Sequence, residues 1–248
     1  VAAGVRLDRL LVDRGLVASR ERAQRLILAG AVLVADRPAT KPGALVPPDA
    51  PLRLRATASE YVSRGGEKLA GALDAFALDV TGAVALDVGA STGGFIDCLL
   101  RRGARRVIGV DVGYGQLAWS LRQDPRVLVL ERTNARLLRM TMLPERPDLA
   151  TVDVSFISLA LVLPAIAAVL SPGRAVVALV KPQFEAGRGQ VGRGGVVRDP
   201  TVRAAAVARV RQVAQGLGFQ VRGESESVLP GPKGNREVFL WLETSPAR

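Results

Sequence analysis

The sequence predicts an α/β fold, a doubly wound sheet with a small α+β module in front of it. Short β-prone runs alternate with helical stretches from residue 83 onward. The first run turns through a glycine-rich loop into a helix, and the second ends in an acid. Ahead of them, two amphipathic helices and several short strands form a compact basic segment. A chain of 248 residues, 48% hydrophobic and 23% charged, is long enough for one large core and a satellite.

In chain order, residues 6–15, "RLDRLLVDRG", place Leu7, Leu10 and Leu11 on one helical face. Ser19 reads as the N-cap of "RERAQRLILAG", in which Ala23, Leu26 and Ile27 repeat the apolar spacing and Gly30 ends the helix. Pro, Gly and Asp turns break residues 31–55 into a few small strands. After a polar joint, Lys68 leads into the helix "LAGALDAFAL". Then come a strand at "AVALDV", the turn, a helix, and a second strand ending at Asp111. Further strands are predicted at "RVLVLE", "LATVDV", "AVVALV" and "EVFLWL", and a helix over 201–217. "FQVRGES" and "EVFLWL" suit an antiparallel pair at the sheet edge.

Composition narrows the chemistry. The chain contains no histidine, which removes histidine bases, histidine-paired nucleophiles and histidine-ligated metals. A lone cysteine, Cys98, removes intramolecular disulfides and multi-cysteine zinc sites, and no metal is expected. The longest apolar stretch, residues 157–170, is interrupted by Pro164 and too short to span a bilayer as a helix. With no signal-peptide pattern, the sequence reads as cytoplasmic, without a membrane partner. A net charge of +11 favours a polyanionic partner such as nucleic acid over a merely solubilising surface. Of the 34 basic residues 30 are arginine, leaving Lys41, Lys68, Lys181 and Lys233. An amine can act as a base where a guanidinium cannot, so lysines in an arginine-biased chain are candidates for chemistry.

The turn Asp87-Val88-Gly89-Ala90-Ser91-Thr92-Gly93-Gly94 has serine where a dinucleotide fingerprint has its middle glycine, which disfavours a pyrophosphate. An adenosine cofactor without phosphates fits better, with Asp111 accepting from ribose hydroxyls. S-adenosylmethionine meets these terms, while NAD or a structural turn stay open on this feature alone. Asp153 and Lys181 close adjacent predicted strands, where ligands sit in open α/β sheets. A salt bridge at the sheet edge would explain that pair equally well.

The N-terminal pattern around "ASRERAQRLILAGAVLVADRPATKP" resembles the RNA-binding fold of small-subunit ribosomal protein four. That resemblance makes Arg6, Arg20, Arg22, Arg25 and Lys41 candidate RNA contacts. With it, "VSRGGEKLAGAL", "LDVGASTGGFIDCLL", "ERTNAR", "DVSFISL", "LVKPQFEAGRGQVGRGGVV" and "LPGPKGNREVFLWL" resemble the haemolysin-A-type (TlyA-family) ribosomal RNA methyltransferases nearly end to end.

The resemblance implies a Rossmann-like, S-adenosylmethionine-dependent domain that methylates a cytidine ribose 2′-hydroxyl in large-subunit RNA and, in some relatives, in small-subunit RNA as well. It implies a Lys-Asp-Lys-Glu tetrad at Lys68, Asp153, Lys181 and Glu237. Lys181 is the expected base, Asp153 and Glu237 orient the amines, and Lys68 adds positive charge beside the developing alkoxide. Asp87, Gly89, Ala90, Ser91, Thr92, Gly93, Gly94, Asp111, Val112 and Asn134 are the expected cofactor contacts. Phe156 reads either as packing beside the methionine end or as ordinary core. Arg64 and Arg136 are further RNA candidates. The segment 185–200, with Arg188, Arg193 and Arg198, reads as a mobile basic loop or a flexible connector.

The implied domains are 1–58 for the ribosomal-protein-S-four-type RNA-binding module, 59–63 for a linker and 64–248 for an FtsJ-like methyltransferase domain. Ribosomal RNA or a ribosomal subunit is the expected partner of a monomer. Some relatives carry an arginine and a tryptophan in the joint where this chain has Ser59 and Tyr61, which questions coupling through that joint. The competing readings are a non-catalytic ribosome-assembly factor, a pseudouridine synthase and a haemolysin.

Overall fold

The computed structural model describes residues 4–28, 30–54 and 60–245. The start of the predicted linker, including Ser59, lies outside the described residues. The chain divides into two compact units, residues 1–60 and 61–248.

The first unit runs β1 (Val5–Arg6), α1 (Leu7–Asp13), α2 (Arg20–Leu28), β2 (Val32–Val34), β3 (Arg37–Ala39), β4 (Leu45–Val46) and β5 (Leu52–Leu54). The helices form as their spacing predicts, with Leu7, Leu10 and Leu11 packed on Ala23 and Ile27. Ser19 Oγ accepts the Arg22 backbone N–H at 3.2 Å, capping α2. At the other end Gly30, at φ +66°, lets its N–H reach Ile27 O and so stops the helix. Strand β2 lies between β3 and β5, and β1 pairs with β4. Ala35 and Asp36, both at positive φ, close the β2–β3 hairpin with the handedness that suits twisted strands.

The second unit contains α3 (Arg64–Ala75), β6 (Val84–Val88), α4 (Gly94–Arg101), β7 (Arg106–Val110), α5 (Trp119–Arg122), β8 (Val127–Leu130) and β9 (Leu149–Val152). It continues through α6 (Leu163–Val169), β10 (Ala175–Val180), α7 (Pro182–Glu185), α8 (Pro200–Gly216), β11 (Phe219–Glu226) and β12 (Val238–Thr244). The sheet order is β11-β12-β10-β9-β6-β7-β8. β12 is antiparallel to both β10 and β11, and the remaining pairs are parallel. β12 is therefore interior, because β11 takes the edge.

Strand alternation explains why the runs are apolar throughout. On β10, Val176, Ala178 and Val180 face one core, while Val177 and Leu179 face the other. Helices α6 and α8 cover the first face through Leu163, Ile166, Val207 and Val210. Helices α3 and α4 cover the second through Leu69, Leu73, Ile96 and Leu99. Strand order reverses between β6 and β9, so their carboxyl ends open a crevice there.

One sequence expectation changes. Helix α3 begins at Arg64, placing Lys68 inside it rather than ahead of it. The poor helix formers Gly65 and Gly66 hide this first turn, but Gly66 is buried where a side chain would strike the Tyr61 ring. The apolar stretch 157–170 is broken into a 3₁₀ turn and α6, and among the described residues no helix is long and apolar enough to cross a membrane.

Candidate active site

The turn after β6 approaches the end of β9 so closely that a Cβ on Gly89 would lie 2.4 Å from the Asp153 carbonyl oxygen. Gly89 also has φ +92°, so both space and conformation require glycine. Beneath the turn, Asp87 is fully buried and accepts from Thr151 Oγ1 at 2.8 Å, while its Oδ2 has no partner among the described residues. Burial pushes the Asp87 carboxyl up to about 7, with the nearby Asp153 and Asp111 charges adding to the rise. Asp87 thus supports the turn from below and does not line the cleft.

That cleft, of about 590 Å³, is bounded by Gly89, Ala90, Ser91, Thr92 and Gly94 on one side. Lys68, Asp153, Lys181 and Glu237 all line it, brought from α3 and from the ends of β9, β10 and the segment entering β12. They form two ion pairs. Lys68 Nζ lies 2.5 Å from Glu237 Oε2, both side chains being buried. Lys181 Nζ lies 2.6 Å from Asp153 Oδ1 and donates to Ser155 Oγ at 2.9 Å. Glu237 Oε1 is buried without a partner among the described residues, and a Cβ on Gly231 would lie 2.4 Å from it.

Asp111 takes a role its sequence position did not reveal. Its two carboxylate oxygens accept the Ser91 and Gly113 backbone N–H groups at 2.7 and 2.6 Å, fastening the turn to the end of β7. Lone pairs remain for a ribose, since an ionised carboxylate offers about four acceptor positions. Asp111, Gly93, exposed Val112 and Asn134 do not line the cleft, and the Asn134 side chain accepts from the Arg136 backbone. Phe156 does line it, at φ +64° and 91% exposed, with its ring 5.1 Å from Phe184. Such exposure overturns the core alternative for Phe156. Arg64 stands at the cleft and donates to Pro230 O, while Arg136 borders a neighbouring groove.

A family model for FtsJ-like methyltransferases matches residues 61–244, and one for the S4 domain matches residues 5–51. The chain belongs to the FtsJ-like methyltransferase family. A relative of this methyltransferase from Mycobacterium tuberculosis, described as 16S/23S rRNA (cytidine-2'-O)-methyltransferase TlyA, is 54% identical over all of this chain and 93% of its own. Hemolysin A from Brachyspira hyodysenteriae is 39% identical over 95% of this chain and 98% of its own. A solved structure described as a hemolysin from Streptococcus thermophilus superposes with a TM-score of 0.78 at 43% identity, covering 99% and 91% of the two chains.

Several features of this methyltransferase were not read from the sequence. Lys233, singled out by rarity but given no place in the site, lines the same cleft as Lys68 and Lys181. Ser155 was passed over between Asp153 and Phe156. Buried Asn235 donates to Gly195 O and accepts from Val197 N–H, both at 2.9 Å. With the Gly192–Val196 bridge, it ties down the segment expected to be a mobile loop. In the first unit, buried Asp8 accepts from Arg6, Arg20 and Gln24, so two candidate RNA-binding arginines share one carboxylate.

Proposed function

We propose that this FtsJ-like enzyme methylates the 2′-oxygen of a cytidine in ribosomal RNA, using S-adenosylmethionine, as a monomer in the cytoplasm. The observation that carries this reading is the convergence of two lysine–carboxylate pairs on a cleft floored by a glycine turn. The donor set fits the cofactor. The Gly89–Gly94 turn leaves room for close backbone approach, Asp111 retains acceptor capacity for the ribose, and the cleft volume falls in the range of small-molecule sites. When bound, S-adenosylmethionine supplies an electrophilic methyl group.

The chain's own residues then act on the acceptor. A ribose hydroxyl is a weak nucleophile, so a base must receive its proton as the oxygen becomes methylated. In this reading Lys181 takes that task, paired with Asp153 from the neighbouring strand end. Lys68 brings positive charge to the cleft where alkoxide character develops, and Glu237 fixes its amine. Arg64 and Lys233 at the cleft offer charge to the substrate's phosphates. The S4 unit contributes Arg6, Arg20, Arg22, Arg25 and Lys41 to RNA docking.

The test is to incubate the protein and S-adenosylmethionine with small and large ribosomal subunits separately and analyse the nucleosides by mass spectrometry. The expected product is 2′-O-methylcytidine. Methylation confined to bases would refute the reaction, and tight subunit binding without methyl transfer would favour an assembly factor.

A further inference from the structure

We infer that Ser155 is a positioning residue that aims the Lys181 amine at the substrate hydroxyl. The inference rests on the proposed role of Lys181 as the base and adds a requirement to it. Nζ carries three substituent positions beyond Cε. Ser155 Oγ at 2.9 Å accepts along one of them, while Asp153 Oδ1, 2.6 Å away, is an ion-pair contact that takes no hydrogen bond. The other two positions carry no hydrogen bond to a described residue, and Lys181 and Ser155 both line the cleft. In the neutral amine one N–H bond goes to Ser155 Oγ, so the lone pair is confined to the two remaining positions. Without that acceptor Nζ turns about the Cε–Nζ bond and the lone pair is spread over all three positions.

The loop bearing Asp153 and Ser155 is tied to the element that follows Lys181. Glu185, at the end of α7 and only 4% exposed, accepts from Ser158 Oγ at 2.6 Å and from the Leu159 N–H at 2.8 Å. One carboxylate four residues after Lys181 thus holds the segment that begins at Asp153 and Ser155. Amine and acceptor are connected through the chain on both sides, and the positions left open on Nζ are set before substrate arrives. In the reaction the ribose O2′–H bond breaks, the proton joins Nζ, and the electron pair left on O2′ would form the bond to the methyl group as the methyl–sulfur bond of the donor breaks, its pair staying on the sulfur of the departing thioether. The ammonium then returns its proton to solvent.

Four lysines in the chain make the test direct, because lysine-labelled protein gives few side-chain resonances. In full-length Ser155→Ala, the Lys181 Cε and Nζ resonances should move while those of Lys68 stay in place. S-adenosylmethionine affinity should hold, and kcat for methyl transfer should fall about tenfold or more at unchanged KM for RNA. Ser155→Thr, which keeps the hydroxyl, should restore both the resonances and most of the rate. An unmoved Lys181 resonance, or a wild-type rate in Ser155→Ala beside an inactive Lys181→Ala, would overturn the inference. A fully active Lys181→Ala would instead overturn the base assignment on which it rests.

Discussion

Asp87 occupies the middle of the sheet with one oxygen bonded to Thr151 and the other without a partner among the described residues. Its carboxyl, raised to about 7 chiefly by burial, binds a proton in the folded chain that the unfolded chain has already released near pH 4. Stability contributed at this site therefore falls as pH rises from about 4 to about 7, and the full cost persists above that. Asp87→Asn keeps an acceptor for Thr151 and removes the charge. Its Tm should exceed that of the wild type at pH 8 by on the order of 4 °C or more, with the gap closing toward pH 5. Parallel Tm curves across that range would contradict the assignment. At this scale the sequence was partly legible. Rarity singled out four lysines, of which Lys68, Lys181 and Lys233 line the cleft and Lys41 lies in the first unit. Ser155 and Asn235 were not legible, because what distinguishes them is a partner 26 to 40 residues away.

Helices α1 and α2 are joined by a buried charge as well as by their leucine and alanine faces. Asp8 is held well below the usual carboxylate range, first by the Arg6 guanidinium and then by Gln24 and Arg20, against the effect of burial. Arg6 and Arg20 remain about half exposed, so the shared carboxylate orders two guanidiniums at the surface. Asp8→Asn makes the protein more positive and on charge alone should tighten RNA binding. Loss of the ordered pair is expected to win, with affinity for a ribosomal RNA fragment falling about three- to tenfold, while tighter binding would show that the arginines need no orientation. Arg20→Ala should weaken binding and flatten its salt dependence by about one unit of slope, whereas equal affinity across salt concentrations would make Arg20 an ordinary solvated residue. The periodicity of these helices was readable, as were the caps at Ser19 and Gly30. The polar bond between them was not, since Asp8 lies among leucines in a pattern that marks only the apolar face.

Across the whole molecule, a basic chain without histidine combines an S4 unit with a methyltransferase sheet whose order reverses between β6 and β9. Strand alternation with helices made this sheet legible, because continuous apolar runs are what a sheet covered on both faces requires. The sequence also marked Asp153 and Lys181 as strand-end residues. It did not reveal that Gly231 makes room beside Glu237, nor that Asn235 fastens the glycine-rich segment, because both depend on how loops meet after the sheet is built. The central claim is that the Lys181–Asp153 pair acts on the acceptor hydroxyl and not on the cofactor. Its most direct test is the rate of labelled methyl transfer to ribosomal subunits by Lys181→Ala under saturating S-adenosylmethionine, with cofactor affinity measured alongside. The predicted result is a rate lower by about 100-fold or more at nearly unchanged cofactor affinity. A rate within about twofold of the wild type, or a loss explained by failure to bind the cofactor, would contradict it.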